Sequence, residues 1–234
     1  MNSEIKVIGF DADDTLWENE IFYRETEREF CCILQPYMKE EDISKELFKT
    51  EVRNMELYGY GIKAFSLSLI ETAIRISDSE IPASTINMII DLGKAMLKKP
   101  VHLIDGIDYV LRELKVKYRL IIVTKGDLLD QERKLLKSGL SGYFHHIEIM
   151  SDKKEENYRS LLNHLDIEAS QFIMVGNSLK SDVLPVLHLG GYAIYIPSHT
   201  TWLYEQIENE DIKSEKFVKV KNIREILKVL FSDT

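Results

Sequence analysis

The stretch from Lys6 to Trp17, KVIGFDADDTLW, constrains this chain more than any other. Val7, Ile8 and Phe10, together with Gly9, make a short β-rich apolar run that predicts a buried strand rather than a helix. Three carboxylates follow at once, Asp11, Asp13 and Asp14. Like charges this close repel one another unless a cation or a loop rich in donors holds them. In an open parallel sheet ligands bind beyond the carboxyl ends of the strands, which is where this cluster falls.

Hydrophobic residues make up 44% of the 234 positions and charged residues 29%, enough apolar surface for a core and enough charge for solubility. With 30 basic and 39 acidic residues the formal net charge is −9, which disfavours broad contact with a nucleic-acid polymer. No apolar run approaches the ~20 residues of a membrane span, and MNSEIK lacks the basic flank and apolar centre of a signal peptide. The expected location is cytoplasmic, with no membrane partner. Cys31 and Cys32 are adjacent on an expected helix, point in different directions, and read as free thiols.

From Glu18 to Lys99 apolar residues recur at helical spacing and strand-like runs vanish. Phe30, Ile33 and Leu34 mark one helix, Ile43, Leu47 and Val52 a second, Phe65, Leu69 and Ala73 a third, and Ile86, Ile89 and Met96 a fourth. A helical insert of about eighty residues is too long for a loop and must pack as its own module. The expected division is therefore a core of residues 1–17 and 100–234 with a helical module of 18–99.

Past Pro100 strands and helices alternate. Asp105-Gly106 reads as a cap for a helix carrying Ile107, Val110 and Leu111. Strand-like runs at 119–124, 146–150, 171–176 and 192–196 supply four more strands, and the alternation predicts a doubly wound parallel α/β sheet. The tail adds a short run at 217–220 and an amphipathic helix over 222–231. Thr124-Lys125-Gly126 ends one strand just before a helix, and a hydroxyl with backbone N–H donors there makes a seat for a phosphate. Asp182 reads either as a site acid or as the cap of a helix over 183–189. His199, in a loop, reads as solvent-facing, and Trp17 and Trp202 read as packing or hinge residues.

Asp11-Ala12-Asp13-Asp14-Thr15 resembles the D-x-D-x-T signature of the haloacid dehalogenase superfamily of phosphohydrolases. Thr124 matches that family's second motif, a Thr or Ser ending a strand. The pattern next requires a lysine after the third strand, where Lys153 stands with Lys154 as the alternate. It then requires Gly-Asp with a second acid four or five residues on; Gly176 and Asp182 fit, and Asn177 puts an amide where the family has a carboxylate. An amide oxygen still ligates a hard cation, without the charge. The helical insert resembles the cap that many such phosphatases carry after the first motif.

The resemblance implies a chemistry. Asp11 would attack phosphorus to form an aspartyl-phosphate, and Asp13 would serve as general acid and then base. Thr124, Lys125, Gly126 and Lys153 would hold the phosphoryl oxygens. Asp11, Asp13 through its backbone carbonyl, Asn177 and Asp182 would hold Mg2+. The superfamily's dehalogenases lack the second acid, so Asp13 favours phosphate. A phosphomutase keeps every motif and stays open at this stage. Phospho-receiver modules also combine Asp, Thr and Lys but are much shorter and carry no helical insert. The substrate class implied is a small phosphorylated metabolite, selected by the cap; oligomeric state is not encoded in these motifs.

Overall fold

The computed structural model describes residues 5–198, 200–207 and 212–231, so His199 lies outside the described residues. Its contacts divide the chain into two compact units, Met1–Glu20 with Val101–Lys125 and Arg133–Thr234, and Ile21–Pro100 with Gly126–Glu132.

The first unit is built on a parallel sheet. Strands β1 (Val7–Phe10), β2 (Arg119–Lys125), β3 (His146–Met150), β4 (Phe172–Gly176), β5 (Tyr192–Tyr195) and β6 (Phe217–Lys219) lie in the order β3-β2-β1-β4-β5-β6. β1 is an inner strand, with Phe10 opposite Ile122 on one side and Val175 on the other. Successive side chains point to opposite faces, and both faces are apolar. Ile8, Phe10, Ile122 and Val175 pack on one face with α5 (Ile107–Leu114) and α9 (Glu225–Phe231). Val7, Val123 and Met174 pack on the other with α7 (Glu155–Leu165). Burial on both faces explains why these strands read as continuous apolar runs rather than as alternating ones. The short tail run, read as merely structural, is the edge strand β6 and pairs parallel to β5.

Two local expectations are corrected. Asp105 does not cap α5; Gly106 stands at that position with φ 85°, and the Asp105 carboxylate pairs with Arg224 at 3.2 Å. The helix expected over 183–189 begins earlier as a wide π-type turn, Leu179–Val183, and continues as α8 (Leu184–His188). Pro185 has no N–H to close the ordinary helical bond, so the turn before it opens.

The second unit is helical: α1 (Glu20–Leu34), α2 (Glu40–Tyr58), α3 (Ile62–Ile76) and α4 (Ala83–Lys98). Phe30, Leu34, Ile43, Leu47, Phe65, Leu69 and Ile89 form its core. Glu40, Glu41 and Asp42 crowd the first turn of α2, where the helix dipole favours negative charge. That helix ends at Gly59, whose φ of 68° costs glycine little and lets its N–H bond back to Met55. Residues 126–132, the start of α6 (Leu128–Ser138), group with this unit, and Lys63 pairs with Asp127 at 2.9 Å. Cys31 is buried, Cys32 is exposed, and both are free. Among the described residues no helix is long and apolar enough to cross a membrane.

Candidate active site

The first unit gathers its chemistry at the carboxyl ends of β1, β2, β3 and β4. Asp11 and Asp13 follow β1, Thr124 and Lys125 end β2, Lys153 follows β3, and Asn177 and Asp182 follow β4. Lys153 ties the strand ends together. Its buried Nζ lies 2.5 Å from Asp11 Oδ1 and 2.7 Å from Asp182 Oδ1. Lys154 turns outward and pairs with Asp152 at 3.0 Å.

Asp182 is held from two sides. Its Oδ1 takes the lysine, and its Oδ2 accepts the backbone N–H of Ser178 at 2.9 Å. The carboxylate reaches this place because Gly176 has no side chain; a Cβ there would stand 2.2 Å from Asp182 Oδ2. On the other side of Asp11 the Thr15 hydroxyl lies 3.2 Å from Asp11 Oδ2 and 3.3 Å from Asn177 Oδ1. One hydroxyl proton therefore serves two oxygen acceptors.

The charges do not balance inside this cluster, since one ammonium faces two buried carboxylates. Burial pushes the Asp11 carboxyl up to about 7; Lys153 opposes the shift, and the charges of Asp182 and Asp13 reinforce it. Burial alone would lower the lysine, but Asp11 and Asp182 outweigh it and hold the ammonium protonated. The two partners thus differ: the lysine is well satisfied, whereas Asp11 shares Lys153 with Asp182.

Asp13 faces a different environment. Its Oδ1 accepts the Trp17 indole N–H at 2.7 Å and the Lys134 ammonium at 2.7 Å, and Lys134 also reaches Asn19 Oδ1 at 3.1 Å. Asp14 adopts φ 60°, a conformation that a short polar side chain tolerates. Its carboxylate accepts the backbone N–H groups of Asn19 and Glu20. Burial raises the Asp14 carboxyl to about 7 against those bonds. Thr124 is buried with its Oγ1 3.1 Å from Lys125 O. Lys125 directs its Nζ to Glu205 at 2.6 Å and to Ser181 at 3.0 Å. Gly126, with φ 126°, groups with the helical unit.

Several site neighbours escaped sequence reasoning. Thr15 was visible as the last letter of the D-x-D-x-T pattern, although no role had been given to it. Trp17, whose sequence context reads as packing or hinge, also donates its indole N–H to Asp13. Lys134, Ser178, Ser181 and Glu205 carry no motif.

Among the described residues no three His, Cys, Asp or Glu side chains converge as a ready-made chelating cluster. The donors around Asp11 still suit a hard cation. Asp11 and Asn177 offer oxygen only, no thiolate or imidazole intrudes, and the buried negative charge exceeds what Lys153 supplies.

The profile of the haloacid dehalogenase-like hydrolases matches residues 5–189. The chain belongs to that family. A haloacid dehalogenase-like family hydrolase from Xanthomonas campestris superposes with a TM-score of 0.88 at 37% identity, covering 98% of this chain and 91% of that one. A 2-haloacid dehalogenase from Pseudomonas syringae shares the fold at a TM-score of 0.65 and 16% identity, covering 98% of this chain and all of that one. Among curated relatives, N-acylneuraminate-9-phosphatase from Mus musculus is 30% identical over 104 residues, 42% of this chain and 42% of that protein. The Homo sapiens protein of the same name is 22% identical over 199 residues, 80% of each chain. The curated relatives of this hydrolase are thus named as phosphatases, while the dehalogenase shares its fold.

Proposed function

We propose that this hydrolase is a Mg2+-dependent phosphatase of small phosphorylated metabolites that works through an aspartyl-phosphate. The observation that carries the reading is the pair of acids on β1's end in unlike surroundings. Asp11 is buried against Lys153, and Asp13 is held apart from it by Trp17 and Lys134. A dehalogenase needs only the first acid, and a phosphatase needs both.

An Asp11 oxygen attacks phosphorus, and the bond from phosphorus to the leaving oxygen breaks. Asp13 gives its proton to that oxygen, so the alcohol leaves neutral. Water then attacks the phosphorus of the acyl phosphate, Asp13 takes a proton from it, and inorganic phosphate departs with Asp11 restored. Lys153, fixed by Asp182, neutralises charge on the transferring oxygens, and Thr124 offers its hydroxyl with the backbone N–H groups that follow it, at Lys125 and Gly126. Bound Mg2+ would shield the phosphoryl charge and favour ionised Asp11. Asp11, the backbone carbonyl of Asp13 and Asn177 would hold the ion; Asp182, with both oxygens already engaged, would add charge beside it.

The test is hydrolysis of p-nitrophenyl phosphate with Mg2+ and with chelator, followed by a panel of sugar phosphates that includes N-acylneuraminate 9-phosphate. Turnover that needs Mg2+ and disappears in Asp11→Asn is expected. Release of halide from a 2-haloacid, with no phosphate release from any ester, overturns the reading.

A further inference from the structure

The loop that carries Asn177 and Asp182 is gripped by a segment far along the chain. A 3₁₀ turn, Leu203–Glu205, presents the Glu205 carboxylate to three donors at once. Oε1 lies 2.6 Å from Lys125 Nζ; Oε2 lies 2.5 Å from Ser178 Oγ and 2.6 Å from Ser181 Oγ. The donors and acceptors close on themselves. Ser178 and Ser181 spend their hydroxyl protons on Glu205, Ser181 Oγ accepts from Lys125, and Ser178 Oγ accepts the Ser181 backbone N–H at 3.0 Å. The Glu205 and Lys125 side chains are only 12% and 14% exposed, so solvent screens this pair weakly.

The same turn holds the loop by a second, separate contact. Lys180 donates to Tyr204 O at 3.0 Å, and its Nζ lies 3.4 Å from the centre of the Tyr204 ring. Three loop residues are thus fixed from outside, while Ser178 donates its backbone N–H to Asp182 from within.

We infer that Glu205 is a positioning residue for the site: by binding Lys125, Ser178 and Ser181 it fastens the 177–182 loop to the end of β2 and sets where Asn177 and Asp182 stand. This rests on the phosphatase reading for its catalytic consequence, though not for its structural one. The Glu205 carboxylate bonds to Lys125, Ser178 and Ser181 rather than to Asp11. It acts through the loop.

The test uses the full chain carrying Glu205→Gln, which keeps the shape but gives the two serines and Lys125 an amide in place of a carboxylate, and Glu205→Ala as a harsher second variant. Three readouts are taken: amide hydrogen exchange at 177–182, Mg2+ binding by titration calorimetry, and kcat against KM for p-nitrophenyl phosphate. Glu205→Gln should speed exchange at 177–182 while the strand amides stay protected. It should also weaken Mg2+ binding and lower kcat, each by roughly tenfold, as expected for loss of a hydrogen bond to a charged group. Wild-type exchange in that loop together with wild-type Mg2+ affinity overturns the inference. Faster exchange across the whole sheet also overturns it, since Glu205 would then be a general stabiliser. The exchange readout needs no turnover, so wild-type protein without phosphatase activity would sink the functional reading while leaving this test decisive.

Discussion

Lys134 places its ammonium 2.7 Å from Asp13 Oδ1, on the same oxygen that receives the Trp17 indole, across 121 residues of sequence. Two donors on one oxygen restrict the rotation of the carboxyl. Lys134→Met should therefore lower kcat by roughly tenfold, the worth of one charged hydrogen bond, with little change in KM. The signature lies in leaving-group dependence. If Asp13 is the acid, the loss will grow from p-nitrophenyl phosphate to alkyl phosphates, whose leaving oxygens need the proton more. An equal loss on all esters would separate Lys134 from the acid step.

Lys153 pairs with both Asp11 and Asp182. Replacing it by Met leaves two buried carboxylates facing each other, and removing one partner from a buried ion pair costs about 3–5 kcal/mol. Urea unfolding of Lys153→Met in chelator should show that loss, and Asp11→Asn added to it should recover a large part. Failure of the second change to recover stability would mean that Asp11 is not the acid left unpaired.

Asp14 supplies a pH dependence of known sign. Its carboxyl is raised from 3.8 to about 7 in the folded chain, so between those values the native state holds a proton that the unfolded chain has released. This contribution is fully present below 3.8 and is lost as pH rises through 7. In Asp14→Asn the amide oxygen still accepts the Asn19 and Glu20 N–H groups. That variant should match wild type near pH 4 and exceed it by up to a few kcal/mol at pH 8, read from denaturant midpoints. Parallel stability curves for the two proteins would contradict the assignment.

Asn177 shares the Thr15 hydroxyl with Asp11. Asn177→Asp adds a charge to the proposed cation site and should tighten Mg2+ binding by roughly tenfold, measured by calorimetry, because carboxylate ligands bind hard cations more strongly than amides. It should also destabilise the metal-free protein, since a half-buried acid joins a cluster already short of positive charge. Unchanged Mg2+ affinity would place Asn177 outside the reach of the ion.

Gly176→Ala should be more damaging than an added methyl suggests. The new Cβ would lie 2.2 Å from Asp182 Oδ2 and 2.4 Å from its Cγ, and that carboxylate is bonded at both oxygens and cannot swing aside freely. Overpacking of this kind costs about 1–3 kcal/mol, and displacement of Asp182 should also release Lys153 and lower turnover. A fully active Gly176→Ala would show that Asp182 need not stand where it does.

Much of the sheet is legible in the sequence because burial on both faces writes itself as unbroken apolar runs in β1, β2 and β4, whereas the edge strand β3 reads HIEIM and is half-buried. Asp11, Asp13 and Lys153 were legible because their place after a strand coincides with a family pattern. What the sequence hid is what depends on reach rather than on order. Lys134 meets Asp13 from the middle of a helix, and Glu205 meets Ser178 and Ser181 from an irregular segment; neither leaves a periodicity or spacing to find. The helix after Gly176 starts earlier than its sequence suggests for a local reason, since Pro185 marks a break in hydrogen bonding that propensity alone treats as a helix start.

The order β3-β2-β1-β4-β5-β6 has a consequence for how the protein acquires its function. β1 is made first in the chain, yet it is completed as an inner strand only when β2 docks on one side and β4 on the other. Lys153 spans 142 residues to Asp11 and 29 to Asp182, so no early fragment or hairpin can hold the three together. Parallel pairings of such separation close slowly, because the chain loses loop entropy before the contacts form. On refolding, helical signal will return well ahead of turnover, and the recovery of activity will time the docking of β4.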